Sequence, residues 1–421
     1  MHFFCIIDFN KIASLIDRKI EKILVITLSG LALSIFVSKT GVGFFGLSSL
    51  LLMLKWRFAE KYKWTNRLPR ILLALTIFFL LDLLVSAILS DNHSIAFHEL
   101  TKHRHLFIGG LLFLAPMAEE DRKKIITVFF IGAALDGLTG ILQHFDILQK
   151  GAYDQPHGLA SHPIQYALNL SFICGSAILM LLMRRHIESK KYILFLIVTI
   201  SLTLGAIVLT MSRGAWLAFF IAFTIVIFLY DRKKARAFLF VMIPIFFLVF
   251  SLNDNIKKRA FSIVTSFYTE SETGSVGNRL ELWKGALLIF KQSPVFGTGY
   301  GDFELDIKKL ISEKKLKPIS STVYAHNIFF QALATRGIIG LALLVSFFVV
   351  LLKWGLREIE TRDSIGGYVI ILSTLITIVG GLSENDIEIS KFLIAYCFTL
   401  GLIGPFGAKV LKTNNGVGIS L

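Results

Sequence analysis

Between Tyr192 and Tyr230 the chain reads YILFLIVTISLTLGAIVLTMSRGAWLAFFIAFTIVIFLY, with Arg213 as its single charged side chain. Inside a bilayer every backbone N–H and C=O must be paired within the chain, and a helix does this from its own residues. Apolar runs of around 20 residues, the length that crosses a hydrocarbon core, recur along the whole sequence. They do not alternate apolar and polar over about ten residues, which excludes a porin-like barrel. The composition agrees: the 421 residues are 54% hydrophobic and 17% charged, against about 25% charged in a soluble domain. The fold class is an all-α polytopic membrane protein.

Spans are expected near 23–38, 41–54, 71–90, 105–116, 125–142, 163–183, 192–211, 214–230, 236–252, 326–352, 365–382 and 390–406, about twelve transmembrane helices in all. Spans two and four are short, and can be tilted, broken or re-entrant. The connecting segments alternate in charge. Lys55/Arg57/Lys61/Lys63/Arg67/Arg70, Arg122/Lys123/Lys124, Arg184/Arg185/Lys190/Lys191, Arg232/Lys233/Lys234/Arg236 and Lys353/Arg357/Arg362 all fall on one side. By the positive-inside rule that side is cytoplasmic, and so are both termini. The net charge of +15 then records topology, and no nucleic-acid partner is implied. The lead-in MHFFCIIDFNKIASLIDRKIEK lacks a cleavage pattern and reads as retained. Cys5, Cys174 and Cys397 imply no disulfide framework, since two of them lie inside spans.

The domain organisation that follows is spans one to nine over 1–252, a long external loop over 253–325, and spans ten to twelve over 326–421. A loop of that length is functional or disordered. Within it, NRLELWKGALLIFKQSP repeats Leu280, Trp283, Leu287 and Phe290 at helical spacing. That predicts an amphipathic helix at the interface or capping the bundle. A second, more polar helix is expected over 303–315, so the loop reads as a helical lobe. Eight of the ten histidines (all but His2 and His186) fall on or near the external side, which concentrates polar chemistry there.

His326-Asn327 stands where this loop re-enters the membrane. At a helix start a neutral imidazole can accept a proton from a hydroxyl. The alternative role is a cap for the unpaired N–H groups of the first turn. Arg336 lies ten residues further on, roughly 15 Å along the axis. A charge at that depth costs about 2.5–3.5 kcal/mol or more, so it needs a partner, such as Asp82 or Asp136, or a cavity. Gly337 and Gly340 fall on nearly one helix face, which favours close helix approach. Arg213, in a tight turn between spans, and Arg279, heading the amphipathic helix, suit a diphosphate through forked hydrogen bonds. Either can instead snorkel to lipid headgroups. Arg104 is a third phosphate candidate, from DNHSIAFHELTKHRH, whose spacing matches no standard zinc pattern. The acidic clusters DFELD (302–306) and ENDIE (384–388) read as solvated charge before a divalent-ion site, and SPVFGTGYGDF as a flexible turn.

SRGAW, NRLELW followed by SPVFGTGYG, and His-Asn with nine residues before Gly-x-x-Gly resemble the O-antigen ligase family. His326, Asn327, Gly337 and Gly340 fill the last pattern, while Arg336 stands where many family members carry an acidic residue. The resemblance implies a bacterial inner-membrane glycosyltransferase with a periplasmic active site, acting in lipopolysaccharide biosynthesis. Its donor is a glycan on undecaprenyl diphosphate and its acceptor a sugar hydroxyl of lipid A–core. It implies His326 as base, Arg213 and Arg279 as diphosphate clamp with Arg104 in support, inversion at the anomeric carbon, and no metal or other cofactor. O-antigen polymerase, protein O-oligosaccharyltransferase and a lipid-linked sugar transporter are the competing readings.

Overall fold

The computed structural model describes residues 9–59, 67–103, 106, 118–150, 153–159, 162–183, 189–240, 244, 275–319, 321–362, 364–385 and 390–404. The regular structure among the described residues is helical, without a strand. In chain order the helices are α1 (Phe9–Val37), α2 (Lys39–Ala59), α3 (Arg67–Leu89), α4 (His93–Lys102), α5 (Glu119–His144), α6 (Pro163–Met183) and α7 (Lys190–Leu209). They continue with α8 (Arg213–Tyr230), α9 (Ser275–Gln292), α10 (Phe303–Ser312), α11 (Ile328–Arg362), α12 (Ile365–Gly380) and α13 (Ser390–Ile403). Residues 232–240 are helical as well.

Among the described residues, five helices are long and apolar enough to cross a membrane: α5, α6, α7, α8 and α11 up to Thr361. Shorter apolar helices at Lys22–Val37, Thr40–Leu52, Leu75–Leu89, Ile365–Gly380 and Lys391–Ile403 occupy five further expected spans. The expected span 105–116 and most of 236–252 lie outside the described residues. α6 and α12 form the centre. They pack on each other and on α8 and α13, with α7 completing the surround of α6 and α11 that of α12. Both central helices are buried along most of their length, including Tyr166, Phe172, Ser176, Tyr368 and Thr374. Hydroxyls at these depths bond back to their own helix, as Ser176 Oγ does to Phe172 O (2.6 Å) and Thr374 Oγ1 to Ile370 O (2.7 Å).

α9 and α10 build a separate small core with the outer half of α11. The α9 helix forms where periodicity predicts it, but Leu282, Ala286 and Ile289 are the residues it buries, while Leu287 is exposed. The expected stripe differs because α9 is sandwiched. Its Trp283 turns toward the start of α11, stacking on Phe330 at 5.4 Å and donating to Ala325 O (3.1 Å).

α11 is broken at Gly337 (φ 63, ψ −160). An unbroken helix would pair Ile338 N with Ala334 O and Ile339 N with Thr335 O. Instead the segment after α9 supplies all four partners. Thr298 N donates to Ala334 O and Gly299 N to Thr335 O (both 3.2 Å), while Ile338 N reaches Pro294 O (2.9 Å) and Ile339 N reaches Val295 O (3.4 Å). The glycine-rich turn expected to be flexible is thus a docked insert. Both glycines at the crossing are required by contact and by conformation. A Cβ on Gly337 would lie 2.3 Å from Val295 O, and one on Gly297 (φ 72) would lie 2.3 Å from Arg336 N. On its far side the insert is tied to α3: Tyr300 N donates to Ser86 O (3.2 Å), and Ser86 Oγ donates to Thr335 O (2.8 Å). Asp302, in one of the clusters expected to be solvated, accepts from Ser90 Oγ, Asp91 N and Asn92 N (2.8–3.0 Å).

Arg336, next to the break, pairs with Asp82 of α3 (Nη1 to Oδ2, 3.0 Å), with both side chains almost fully buried. Its guanidinium also lies over the Phe79 ring, 4.8 Å from the centroid. Asp82 sits seven residues before the end of α3 at Leu89, roughly 10 Å along the axis. The buried charge is therefore shallower than its distance from His326 along α11 suggests. Asp136 serves elsewhere: its Oδ1 accepts from Leu159 N (2.8 Å) and its backbone carbonyl from Tyr166 Oη (2.7 Å).

Two stability measurements check this architecture. Gly337→Ala should lower the melting temperature in detergent, since forced backbone there costs on the order of 1–3 kcal/mol. Gly43→Ala, at a helix position with open space around it, should not. Asp82→Asn should cost about 3–5 kcal/mol by stranding the Arg336 charge, and the paired change Asp82→Leu with Arg336→Met should recover most of it.

Candidate functional site

The start of α11 is fixed by Asn327. Its Oδ1 accepts from Phe329 N (2.9 Å) and Phe330 N (3.1 Å), the bonds of a helix N-cap. Its Nδ2 donates to Leu382 O (3.0 Å), while Ile328 N donates to Gly381 O (2.8 Å), so the turn is pinned to the end of α12. Gln331 reaches back to accept from Ala325 N (2.9 Å). Between these anchors His326 adopts φ 49. A left-handed conformation in a non-glycine residue costs roughly 1–2 kcal/mol and persists where neighbours over-determine it. The capping role considered for the His-Asn pair belongs to Asn327 alone, and the imidazole is left to other contacts.

Those contacts are with Glu384, just beyond α12. Its Oε2 lies 3.0 Å from His326 Nδ1 and its Oε1 2.8 Å from Arg279 Nη2. The carboxylate is 7% exposed, His326 32% and Arg279 27%. One buried carboxylate therefore joins the α11 start to the α9 start. A carboxylate accepts only, so Nδ1 carries the hydrogen of that bond and the neutral ring holds its free lone pair on Nε2.

Arg213 is exposed at the first position of α8. Its neighbour Gly214 abuts Ser383, where a Cβ would come within 2.8 Å of Oγ. That places the head of α8 beside the 383–384 turn, so Arg213 joins the same end of the bundle as His326 and Arg279. Arg104 lies outside the described residues. Gly340 packs against Arg336 and Asp82, a step away from the cluster.

His162 belongs to this neighbourhood too, as the residue before α6. Its Nδ1 accepts from Ile164 N (3.3 Å). Burial holds its imidazole below the usual histidine range; the Glu384 carboxylate opposes that shift, and His326, Arg279 and His157 add to it. The loop that delivers it is held at Gln143, whose Oε1 accepts from His157 N (3.0 Å) and Gly158 N (2.8 Å). Lys391 Nζ ties Leu159 O to the segment beyond Glu384.

Two members of the cluster escaped the sequence. Glu384 sits in the acidic run expected to be solvated, and the available signal was its place directly after an apolar span. His162 stood only in a count of external histidines; its signal was a His-Pro step opening a span, since Pro favours the first helical position.

Residues 198–345 match the model of a protein family described as O-antigen ligase. That segment holds Arg213, Arg279, His326, Asn327, Gly337 and Gly340, but not Glu384 or His162. A Haemophilus influenzae protein described as uncharacterized is 24% identical over 273 residues, covering 62% of this chain. The chain spans 66% of that relative's length, just under two thirds. Over residues 198–345, about a third of its length, the chain is similar to the O-antigen ligase family.

Proposed function

We propose that the protein is an O-antigen ligase, transferring O-antigen polysaccharide from undecaprenyl diphosphate to a sugar hydroxyl of lipid A–core. In this reading it lies in the inner membrane with both termini cytoplasmic, and the 253–325 lobe and the site face the periplasm. The observation that carries the reaction is the bond between His326 Nδ1 and Glu384, with the ring still partly exposed.

Glu384 fixes the tautomer that leaves Nε2 basic and stabilises the imidazolium once a proton arrives. Nε2 takes the proton of the acceptor hydroxyl as its oxygen attacks the anomeric carbon. The bond from that carbon to the diphosphate breaks on the opposite face, so the centre inverts and undecaprenyl diphosphate departs. Arg213 and the remaining N–H donors of Arg279 meet the charge that develops on the leaving group, with Arg104 in support. These cations fill the role a metal would otherwise take, and the reaction is read as metal-independent.

The test is transfer by purified protein in lipid vesicles, given undecaprenyl-diphosphate-linked glycan and lipid A–core. His326→Ala should lower the rate by about 10²–10⁴-fold, the usual contribution of a positioned base. Glu384→Gln should lower it less while leaving the fold intact, and Arg213→Lys should also fail, because a point charge does not replace a fork. Wild-type rates in His326→Ala would remove the base role. Elongation of carrier-linked glycan without transfer to core would make the protein a polymerase.

A further inference from the structure

In α11 no residue of the stretch before the break is exposed, whereas Ile338 and Ile339 directly after it are 50% and 37% exposed. Ile338 begins a stripe with Val345, Val349 and Leu356, each at least 40% exposed and spaced to lie on one side of the helix. In a membrane-crossing helix such a stripe faces lipid. α3 ends in the same way, with Val85, Ile88 and Leu89 exposed just before the polar sequence Ser90-Asp91-Asn92.

The insert after α9 comes to rest at this level. Its Pro294 and Val295 carbonyls hold Ile338 N and Ile339 N, and its Tyr300 N is held by Ser86 O. Val295 and Phe296 are themselves 47% and 48% exposed. A tight turn facing water would present polar side chains; this one presents two large apolar residues beside the first exposed residues of a span. The last turn of α9 adds Lys291, exposed two residues before Ser293.

We infer that Val295 and Phe296 are a membrane hook: they insert at the edge of the hydrocarbon layer against phospholipid acyl chains, with Lys291 at the level of anionic headgroups. The apolar surface is continuous with the lipid-facing stripe of α11, and a basic residue at its rim is the pattern of interfacial anchors. The hook fastens the α9 end of the lobe to the bilayer, so the segment that stitches the broken helix is itself held at the membrane surface. The inference rests on the membrane-spanning reading of α11 and is independent of the proposed reaction.

Nitroxide labels test it. Val295→Cys and Phe296→Cys would be made with Cys5→Ser, since Cys174 and Cys397 are buried. The protein is placed in phosphatidylethanolamine–phosphatidylglycerol nanodiscs, beside Ile338→Cys as lipid reference and Glu313→Cys as water reference. Labels at 295 and 296 should collide with oxygen more than with a water-soluble nickel chelate, as at 338 and opposite to 313. Nickel access equal to that at 313 would overturn the hook, and shielding from both reagents with dipolar coupling between labels would assign the surface to a second copy of the chain. Nickel access at 338 as well would overturn the membrane reading beneath it.

Discussion

A bilayer leaves no water for a broken helix, so the interruption of α11 at Gly337 exists only because other backbone atoms replace the lost pairs. The insert between α9 and α10 does this bond for bond, taking Ala334 O and Thr335 O on one side and giving carbonyls to Ile338 N and Ile339 N on the other. Everything in the lobe follows from that seam. It fixes the end of α9 against α11, and through α9 it fixes Arg279. It also lets the outer part of α11 pack in the small lobe core, with Ala334 contributing there. The buried Arg336–Asp82 pair beside the seam holds α3 in the same junction.

The second organising element is one carboxylate. Glu384 stands between a histidine from α11 and an arginine from α9, and its own segment continues α12, the buried helix at the centre of the bundle. Three parts of the chain far apart in sequence meet on it. Asn327 bonds to the same turn through Leu382 O, so the strained backbone of His326 and the position of Glu384 are set together. Glu384 is paired with Arg279, and Arg213 stands exposed at the head of α8 at the same end of the bundle.

Much of this was legible because membrane physics writes on sequence directly. Long apolar runs mark α5 to α8 directly. The cations Arg213 and Arg279 and the histidine at the α11 start stood out because polar groups beside such runs need a reason. The helix break did not stand out. Gly337 followed by two isoleucines reads as continuous helix, and only the crossing insert requires its positive φ. Arg336 had two possible acids in reach, and sequence distance does not choose between Asp82 and Asp136. Glu384 was hidden in a run of acids whose neighbours carry no sign of what folds over them. The buried face of α9 was missed for a related reason: a helix packed on two sides has no single apolar stripe.

The central claim is that this chain joins finished polysaccharide to lipid A–core through the His326 cluster. The most direct measurement is a lipopolysaccharide gel from the source bacterium lacking the gene, restored with the wild-type chain or with His326→Ala. The account predicts bare core in the deletion, with long polymer accumulating on the lipid carrier, a full ladder after wild-type restoration, and bare core again with His326→Ala. Core bearing a single repeat unit in the deletion, or a full ladder with His326→Ala, would contradict it.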